Sequence, residues 1–538
     1  MTERLQRVLS ESGMRTLLLV SFLVACNLDS RLPAVSDAPP GDVPDADAPL
    51  VFELGQEAYL KPSNTEALDN FGISIALSAD GSTLAVGSFS EDSAATGINN
   101  DPLDNSAMDA GAVYVFTRSG ATWTQQAYIK ASNTNAGDKF GSRVALSADG
   151  STLAVGAFQE DSAAVNINGN QTDNSAMDAG AVYVFARAGA TWAQQSYIKA
   201  SNAGAGDIFG ARLGLSADGN TLAVGSLFED SAAPGVDGDE ADNSKVSAGA
   251  AYVFTRIGAT WTQDAYIKAS NPDVRDFFGN VALSADGMTL AVGAQGEDSA
   301  AVGVDGNQAD ASALNSGALY VFERIGGVWT QQTYIKASNT DAEDGFGFNV
   351  AVSADGLTVA VTASDEDSTA TGIDGDQADN SAPDSGAVYV FTRANATWTQ
   401  QAYVKASNTE SDDSFGISLS LSGNGSTLVV SAHFEDSAVL GINGDGADNS
   451  AAFAGAAYVF LRSNVTWMQE AYVKASNTGG SDRFGGSISL SADGSTLAIG
   501  ADGEASVAIG VDGNQSDNTA PASGAAYLYR TNLSLATQ

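Results

Sequence analysis

The sequence predicts an all-β fold, a seven-bladed β-propeller of four-stranded antiparallel blades. Three observations lead to this prediction: a constant period, four strand patterns within each period, and complementary chain ends. A Phe-Gly pair marks the period and recurs at spacings of 69, 69, 69, 68, 69 and 69 residues. Its phenylalanines are Phe71, Phe140, Phe209, Phe278, Phe346, Phe415 and Phe484. Such a period indicates repeated units that bury their apolar faces against neighbouring units.

Each period contains four strand patterns, which are clear in the second copy. "SRVALS" (142–147) alternates apolar and polar residues, "ADG" forms a turn, and "TLAVGA" (152–157) completes a hairpin. "GAVYVFAR" (180–187) is a nearly continuous apolar run, which is typical of a strand covered on both faces. "TWAQQSYIKAS" (191–201) supplies the fourth strand. Four antiparallel strands per period are typical of a propeller blade.

The two ends of the repeat region complement each other. An extra fourth strand, "QEAYLKPSN" (56–64), precedes the first copy, and the last copy ends at Arg530 without one. Pairing these ends would leave no free sheet edge, whereas a linear solenoid needs no such match and has atypical caps. The sequence therefore predicts a monomeric propeller over residues 56–530, closed by its N-terminal strand and followed by a tail at 531–538.

Residues 1–25 are predicted to be a lipoprotein signal peptide. Three arginines precede the apolar run "LLLVSFLVA" (17–25), which suits a signal-peptide core but is too short for a mature membrane span. The run ends in "LVAC", which resembles the lipobox of bacterial lipoproteins and makes Cys26 the lipidated residue. Cys26 is the single cysteine of the chain. The alternative is a buried free thiol; a disulfide framework is excluded in either case.

Residues 26–55 follow as the lipidated cysteine and a tether. This segment is rich in Asp and Pro, and residues 27–50 contain no aromatic side chain. Such a composition cannot bury enough apolar surface to fold, which predicts a disordered linker. Together with the lipid anchor, it predicts a protein held on the cell envelope, at the outer membrane or cell surface of a bacterium.

The chain is strongly acidic. It has 24 basic and 65 acidic residues, which gives a net charge of −41. This balance argues against nucleic acid as a partner, because phosphate binding needs clustered Lys and Arg. It favours cations or basic partners instead. The alternative is that the acidity only keeps a secreted, Ala-rich and Gly-rich protein soluble.

The long loop between the second and third strands of each unit carries a recurrent triplet of oxygen-bearing residues. An Asp or Asn is followed two residues later by another and three residues after that by an Asp. The triplets are Asn99, Asp101, Asp104; Asn168, Asn170, Asp173; Asp237, Asp239, Asp242; Asp305, Asn307, Asp310; Asp374, Asp376, Asp379; Asn443, Asp445, Asp448; and Asp512, Asn514, Asp517. Alternating oxygens around Gly predict bound Ca²⁺, although the spacing differs from that of an EF-hand. The alternative is that these residues are turn formers.

Two further acidic positions recur beside these loops. A Glu-Asp pair begins the loop, as in Glu160 and Asp161, and an Asp stands two residues before each Phe-Gly pair, as in Asp138. In a propeller, the second-to-third and fourth-to-first strand loops emerge on the same face. We therefore predict an acidic ring on that face and expect it to be the functional surface.

The Phe-Gly pair followed by an alternating strand, together with "GAVYVF", "GAAYVF" and "GALYVF", resembles the FG-GAP repeats of integrin α chains and of bacterial FG-GAP surface proteins. The resemblance covers all seven units and implies a seven-bladed propeller that serves in extracellular adhesion or ligand binding. One departure is clear. The integrin calcium loop joins the first and second strands of a blade, but here that connection is only "SADGST" or a close variant, too short for a full ligand set.

Enzyme chemistry has little support in the sequence. The single histidine, His433, aligns with Ser88 and Ala157, which predicts an incidental surface substitution. A Ser/His/Asp set cannot be built, and the acids recur almost unchanged, whereas a catalytic acid and base need different environments. The sequence predicts a non-catalytic surface lipoprotein that binds an extracellular protein or glycan. The alternatives are a passive envelope or spacer protein and, less favoured, a polysaccharide-acting enzyme.

Overall fold

A computed structural model describes residues 50–535, which contain 28 β-strands in seven four-stranded antiparallel sheets. The seven-bladed prediction is therefore confirmed. The predicted signal peptide, Cys26 and residues 27–49 of the predicted tether lie outside the described residues.

The strands group into blades in chain order, except that the first strand joins the last blade. The first three blades are β2 (Phe71–Leu77), β3 (Thr83–Ser88), β4 (Ala112–Ser119), β5 (Thr122–Ile129); β6 (Phe140–Leu146), β7 (Thr152–Ala157), β8 (Ala181–Ala188), β9 (Thr191–Ile198); and β10 (Arg212–Leu215), β11 (Thr221–Ser226), β12 (Ala250–Ile257), β13 (Thr260–Ile267). The next three are β14 (Phe278–Leu283), β15 (Thr289–Ala294), β16 (Ala318–Ile325), β17 (Val328–Ile335); β18 (Val350–Val352), β19 (Thr358–Ala363), β20 (Ala387–Ala394), β21 (Thr397–Val404); and β22 (Leu419–Leu421), β23 (Thr427–Ala432), β24 (Ala456–Ser463), β25 (Thr466–Val473). The seventh blade is β26 (Phe484–Leu490), β27 (Thr496–Ala501), β28 (Ala525–Leu535) and β1 (Leu50–Leu60).

The first strand of each blade lines a central channel. These inner strands contact one another around the whole ring, from β2 through β6, β10, β14, β18 and β22 to β26 and back to β2. The second strands are buried along their full length, and the third strands are buried over their first five residues, as in β7 and β8. This agrees with the continuous apolar runs of the sequence, because sheets on both sides cover the middle of each blade.

The Phe-Gly pair recurs because each of its residues does a separate packing task. Phe71 is buried and meets the rings of Tyr114 and Phe116 edge to face, at 5.4 and 6.1 Å between centroids. Gly72 has a φ of +95°, and a Cβ placed there would lie 2.4 Å from the carbonyl oxygen of Ala525 in the neighbouring blade. Only glycine allows the two backbones to approach this closely.

The ring is closed in two ways. β1 pairs antiparallel with β28, with Tyr59 opposite Tyr527, which confirms closure by the N-terminal strand. In addition, seven backbone hydrogen bonds join the turns between the first and second strands of neighbouring blades into a circle. They run from Ala79 to Ala148, Ala217, Ala285, Ala354, Gly423 and Ala492, and the last returns from Ala492 N to Ala79 O at 3.0 Å.

The propeller extends further than the sequence predicts at both ends. Residues 50–55, expected in the tether, belong to β1, and residues 531–535, expected in the tail, belong to β28. These extensions pair with each other, from Gly55 opposite Arg530 to Leu50 opposite Leu535. Phe52 and Leu54 also pack against the apolar core of the seventh blade. Neither extension has a copy elsewhere in the chain, so the repeat pattern does not predict them.

Candidate functional site

The loops between second and third strands and those between blades lie on one face, as predicted, and we call it the loop face. The two kinds of loop are hydrogen-bonded across each blade boundary. Gly137 N donates to Met108 O at 2.9 Å, and Phe140 N donates to Ala110 O at 3.0 Å. Each blade is thereby fixed to the long loop of the blade before it.

The first residue of each predicted calcium triplet ties its loop to the outer strand. Asp237 N donates to Tyr266 O at 2.8 Å, and Tyr266 N donates to Asp237 Oδ1 at 3.0 Å. Asp237 has a φ of +52°, a conformation that Asp and Asn tolerate better than most residues. The same tyrosine bond is made by Asn99, Asn168, Asp237, Asp305, Asp374, Asn443 and Asp512.

The second and third residues of the triplets close short turns. Asp239 Oδ1 accepts a hydrogen bond from Ala241 N, and Asp242 Oδ1 accepts one from Ser244 N, both at 3.0 Å. The equivalent second residues are Asp101, Asn170, Asn307, Asp376, Asp445 and Asn514. The equivalent third residues are Asp104, Asp173, Asp310, Asp448 and Asp517, while Asp379 accepts from the Thr369 hydroxyl.

The triplets, as placed, do not form a ready cation site. Among the described residues, no three Asp, Glu, His or Cys side chains are grouped so that they could hold a metal ion. The observed bonds agree with the alternative of turn formation, because every triplet residue except Asp379 is shown accepting a hydrogen bond from a backbone N–H, as Asp237, Asp239 and Asp242 do. Calcium binding remains a prediction.

The glutamate of each Glu-Asp pair is not on the surface, which corrects the prediction of an acidic ring. Glu160 is 1% exposed, and its Oε2 accepts from Lys199 Nζ at 2.9 Å and from Ser162 N at 3.1 Å. Its Oε1 accepts from the hydroxyl of Tyr197 at 2.8 Å and from Asn133 Nδ2 at 3.0 Å. A buried carboxylate needs this many donors, since unpaired charge is costly away from water.

The same network occurs in every blade, and we call it the Lys–Glu network. Its ion pairs are 2.6 to 2.9 Å long: Glu91 with Lys130, Glu160 with Lys199, Glu229 with Lys268, Glu297 with Lys336, Glu366 with Lys405, Glu435 with Lys474, and Glu504 with Lys61. Sequence reasoning missed these lysines. The available signal was the Lys that follows the tyrosine by two residues in every fourth strand.

The aspartate before each Phe-Gly pair is also buried. Asp138 is 2% exposed, and its Oδ2 accepts from Asn135 N at 3.0 Å. Burial raises the pKa of Asp138 to about 7; the hydrogen bond from Asn135 opposes this rise and the charge of Glu160 adds to it. Burial is the largest cause at the equivalent positions as well. It raises the pKa to about 7 at Asp207, Asp276 and Asp482, and to about 8 at Asp69, Asp344 and Asp413.

These buried aspartates predict that the propeller loses stability as the pH rises toward 8. Their folded-state pKa exceeds the unfolded value of about 3.9, so the folded protein binds more protons than the unfolded chain between about pH 4 and pH 8. The stabilisation is complete below the unfolded pKa and is lost as the pH passes the folded pKa. Thermal melts at constant ionic strength should give a higher melting temperature near pH 5 than near pH 8.

The matched variant for this measurement is Asp138→Asn, which keeps an acceptor for Asn135 N and removes one titrating group. Its melting temperature is expected to fall less steeply with pH than that of the parent. Each unit of pKa elevation corresponds to about 1.4 kcal/mol, so one site of this kind is measurable. A melting temperature that rises from about pH 5 to pH 8 would contradict the prediction.

The copies differ where the loop face borders the channel. The position two residues before each buried glutamate is Phe89, Phe158, Leu227, Gln295, Ser364, His433 or Asp502. Aromatic pairs occur nearby: Phe228 with Phe277 at 5.7 Å, and Phe434 with Phe453 at 5.3 Å. Phe277 and Phe453 have φ values of 53° and 57°, which are unusual for bulky residues. The equivalent residues of another copy, Lys139 and Asp109, both have a φ of 58°, so the aromatic side chains and not the backbone distinguish these copies.

His433 is not an incidental surface residue, and its alignment with Ser88 and Ala157 was wrong. Ala432 pairs with Ala456 just as Ser88 pairs with Ala112, so His433 corresponds to Phe89 and Phe158. Its ring lies 3.8 Å from that of Phe434 and borders a cavity at the channel mouth. Burial, followed by the charge of Arg483, lowers the pKa of His433 to about 4.

Comparison with solved structures finds matches at low similarity. The putative 6-phosphogluconolactonase from Bacteroides uniformis has 12% identity and a TM-score of 0.43, with 75% of this chain and 86% of that chain covered. The periplasmic gluconolactonase PpgL from Pseudomonas aeruginosa has 13% identity, a TM-score of 0.42 and coverage of 76% and 86%. The β-propeller domain of Cps50 (Swd1) from Myceliophteria thermophila has 8% identity, a TM-score of 0.46 and coverage of 89% and 100%.

Comparison with curated proteins finds no match. The model of the FG-GAP repeat, in contrast, matches residues 54–116, 123–185, 329–391, 398–460 and 467–529, which together exceed half of the chain. Each match begins at or near a fourth strand and ends in the third strand of the next blade, the same offset that closes the ring. The chain belongs to the FG-GAP repeat family.

Proposed function

We propose that the chain is a non-catalytic binding module, held at the bacterial cell surface, whose loop face takes an extracellular protein or glycan. The observation that carries this proposal is the aromatic groove where the sevenfold pattern is broken. The groove has a volume of 550 Å³ and is lined by Phe434, Phe453, Asp482, Arg483 and Asn518, among others. Concave apolar surfaces with a few polar groups are the usual form of a ligand site.

A second hollow lies beside the groove and shares Phe434 with it. It measures 380 Å³, and its walls include Phe277, Phe348 and Ile417 together with the polar Asn315. Flat aromatic surfaces next to hydrogen-bonding groups suit both sugar rings and protein side chains. The two hollows together offer an extended surface across several blades, which favours a macromolecular ligand over a small one.

A non-catalytic role is supported by how the recurrent acids are used. Glu160 and its equivalents are engaged by Lys, Tyr, Asn and backbone donors, and Asp138 and its equivalents are buried. The triplet acids accept bonds from loop backbone groups. A general acid or nucleophile must instead reach a substrate. Passive spacing remains the second candidate, and the binding experiment separates it from adhesion.

The proposal is tested by probing a glycan array and immobilised extracellular-matrix proteins with the parent and two variants. Phe434→Ser with Phe453→Ser removes the groove aromatics. The control, Ile257→Ser with Ile325→Ser, removes exposed apolar side chains from the opposite face. We expect retention of the parent and the control but not of the groove variant. Retention of none would favour a spacer, and turnover of a bound polymer would favour an enzyme.

The envelope anchor is a separate part of the proposal. Within residues 50–535, no helix has the length and apolarity needed to cross a membrane. Cys26→Ser is expected to move the protein from the membrane fraction to the soluble fraction, because a lipid chain supplies about 0.8 kcal/mol per buried CH₂. Ser30→Ala, in the same segment, should leave the distribution unchanged. A Cys26→Ser protein that stays with the membranes contradicts the lipoprotein assignment.

Calcium stabilisation is the remaining part. The calcium hypothesis predicts that millimolar Ca²⁺ raises the melting temperature, that Mg²⁺ raises it less, and that Asp239→Ala with Asp376→Ala reduces the effect. The free carboxylate oxygens of these loops repel one another without a cation, and Ca²⁺ tolerates irregular coordination better than Mg²⁺. A melting temperature indifferent to Ca²⁺, Mg²⁺ and chelator would leave the triplets as turn formers.

A further inference from the structure

One position of the inner strands defines a ring of side chains in the channel, which we call the channel tier. It lies three residues after the Phe of each Phe-Gly pair, or two in the fourth copy, which is one residue shorter. The tier consists of Ser74, Arg143, Arg212, Asn280, Asn349, Ser418 and Ser487. Five members are short polar residues and two, in adjacent blades, are arginines.

The five short members tie neighbouring blades together. Each makes a hydrogen bond to the backbone of the next blade, at 2.6 to 3.1 Å. The bonds are Val144 N to Ser74 Oγ, Asn280 Nδ2 to Gly347 O, Asn349 Nδ2 to Ile417 O, Ile488 N to Ser418 Oγ, and Ser487 Oγ to Gly72 O. Short polar side chains at this position therefore stabilise the boundary between two blades.

The two arginines do not make that bond. Arg143 Nη1 donates to Ser142 O in its own blade at 2.8 Å. Arg212 Nε donates to Asn280 Oδ1 at 2.8 Å, and its Nη1 donates to Ala211 O at 3.1 Å. A guanidinium has more N–H donors than these bonds use. Both side chains line a cavity of 210 Å³ inside the mouth of the channel.

The electrostatics of this pair is unusual for so acidic a chain. Burial lowers the pKa of Arg143, and burial followed by the charge of Arg143 lowers that of Arg212 well below its ordinary value. No carboxylate of the described residues offsets either shift. By contrast Arg483 and Asp502, which both line the same cavity, pair with each other at 2.8 Å. The chain has 65 acidic residues. Two guanidinium groups in adjacent blades that lack a carboxylate partner among the described residues are therefore a specific arrangement.

We propose that the channel mouth binds an oxyanion, a phosphate, sulfate or carboxylate group, between Arg143 and Arg212. The planar guanidinium matches such groups with paired hydrogen bonds, and enclosure strengthens them. Asn349 and Ile417 line the same cavity, and its volume admits a small anion or the anionic end of a larger molecule. The overall acidity of the chain argues against clustered arginines, but arginines line this cavity at the channel mouth. The cavity borders the aromatic groove, with which it shares Arg483, but an anion bound between Arg143 and Arg212 goes beyond the proposed loop-face ligand.

The test compares thermal melts and calorimetric titrations of the full chain in inorganic phosphate, sulfate and chloride at matched ionic strength. Phosphate or sulfate is expected to raise the melting temperature of the parent above its value in chloride. Arg143→Gln with Arg212→Gln should abolish this difference. In chloride alone the same variant should melt at or above the parent, because it removes two crowded charges. Arg143→Lys with Arg212→Lys should keep a weaker response.

The matched control is Arg187→Gln with Arg462→Gln, which removes the same charge from arginines that stack on Trp192 and Trp467. It should keep the full phosphate response even if it lowers the melting temperature. The proposal is overturned if the parent responds equally to phosphate, sulfate and chloride, or if Arg143→Gln with Arg212→Gln keeps the parent's response. Neither result bears on the glycan and matrix binding experiment.

Discussion

Deletion of residues 56–64 is expected to abolish the cooperative melting of the propeller. The deletion removes the part of the pairing between β1 and β28 that runs from Gln56 to Leu60, including Tyr59 opposite Tyr527. It also removes Lys61, the buried partner of Glu504, and Asn64, which donates to Glu91. Glu504 is then left as an uncompensated buried charge, and the segment of β28 from Ala526 to Tyr529 loses its partner and becomes an edge that can pair with other chains.

The control is deletion of residues 27–49, which lie outside the described propeller. That variant should melt like the parent, because it retains β1, β28 and every Lys–Glu network. Circular dichroism melts and size-exclusion chromatography measure the two effects, loss of the transition and self-association of the chain. If the 56–64 deletion melts like the parent and stays monomeric, β1 is not needed to close the ring.

Much of the fold was predictable because the sequence contains seven copies of one structural unit, and the copies can be compared with one another. The hairpin, the buried third strand and the orphan fourth strand all follow from comparing copies, and β7 at Thr152–Ala157 coincides with the predicted strand. The ends could not be predicted in this way. Residues 50–55 and 531–535 have no copies, and their strand structure depends on pairing with each other.

The candidate site was less predictable for a physical reason. Oxygen-bearing side chains around Gly serve equally as calcium ligands and as turn formers, so the triplets cannot be assigned from spacing alone. Whether a glutamate is exposed depends on its partner, and Lys199 stands 39 residues after Glu160. Arg143 and Arg212 line one cavity because the ring brings adjacent inner strands together. In the sequence, these two arginines differ from the other members of the channel tier only by not being short polar residues.

Loss of one buried lysine is expected to destabilise the protein far more than loss of an exposed one. Lys199→Met leaves Glu160 charged in a site where the side chains are 0% and 1% exposed, which is expected to cost about 3–5 kcal/mol. The control, Lys245→Met, breaks a pair with Asp273 of similar length, 2.7 Å, but with side chains 34% and 59% exposed. Water replaces that pair, so its cost should be at most about 1 kcal/mol.

A double variant identifies the cause of the difference. If Lys199→Met destabilises because Glu160 is left as a buried charge without a partner, then removal of that charge should relieve the penalty. Glu160→Gln combined with Lys199→Met removes the charge and should recover part of the loss at neutral pH. No recovery of melting temperature in the double variant would mean that Lys199 stabilises the blade by packing rather than by charge.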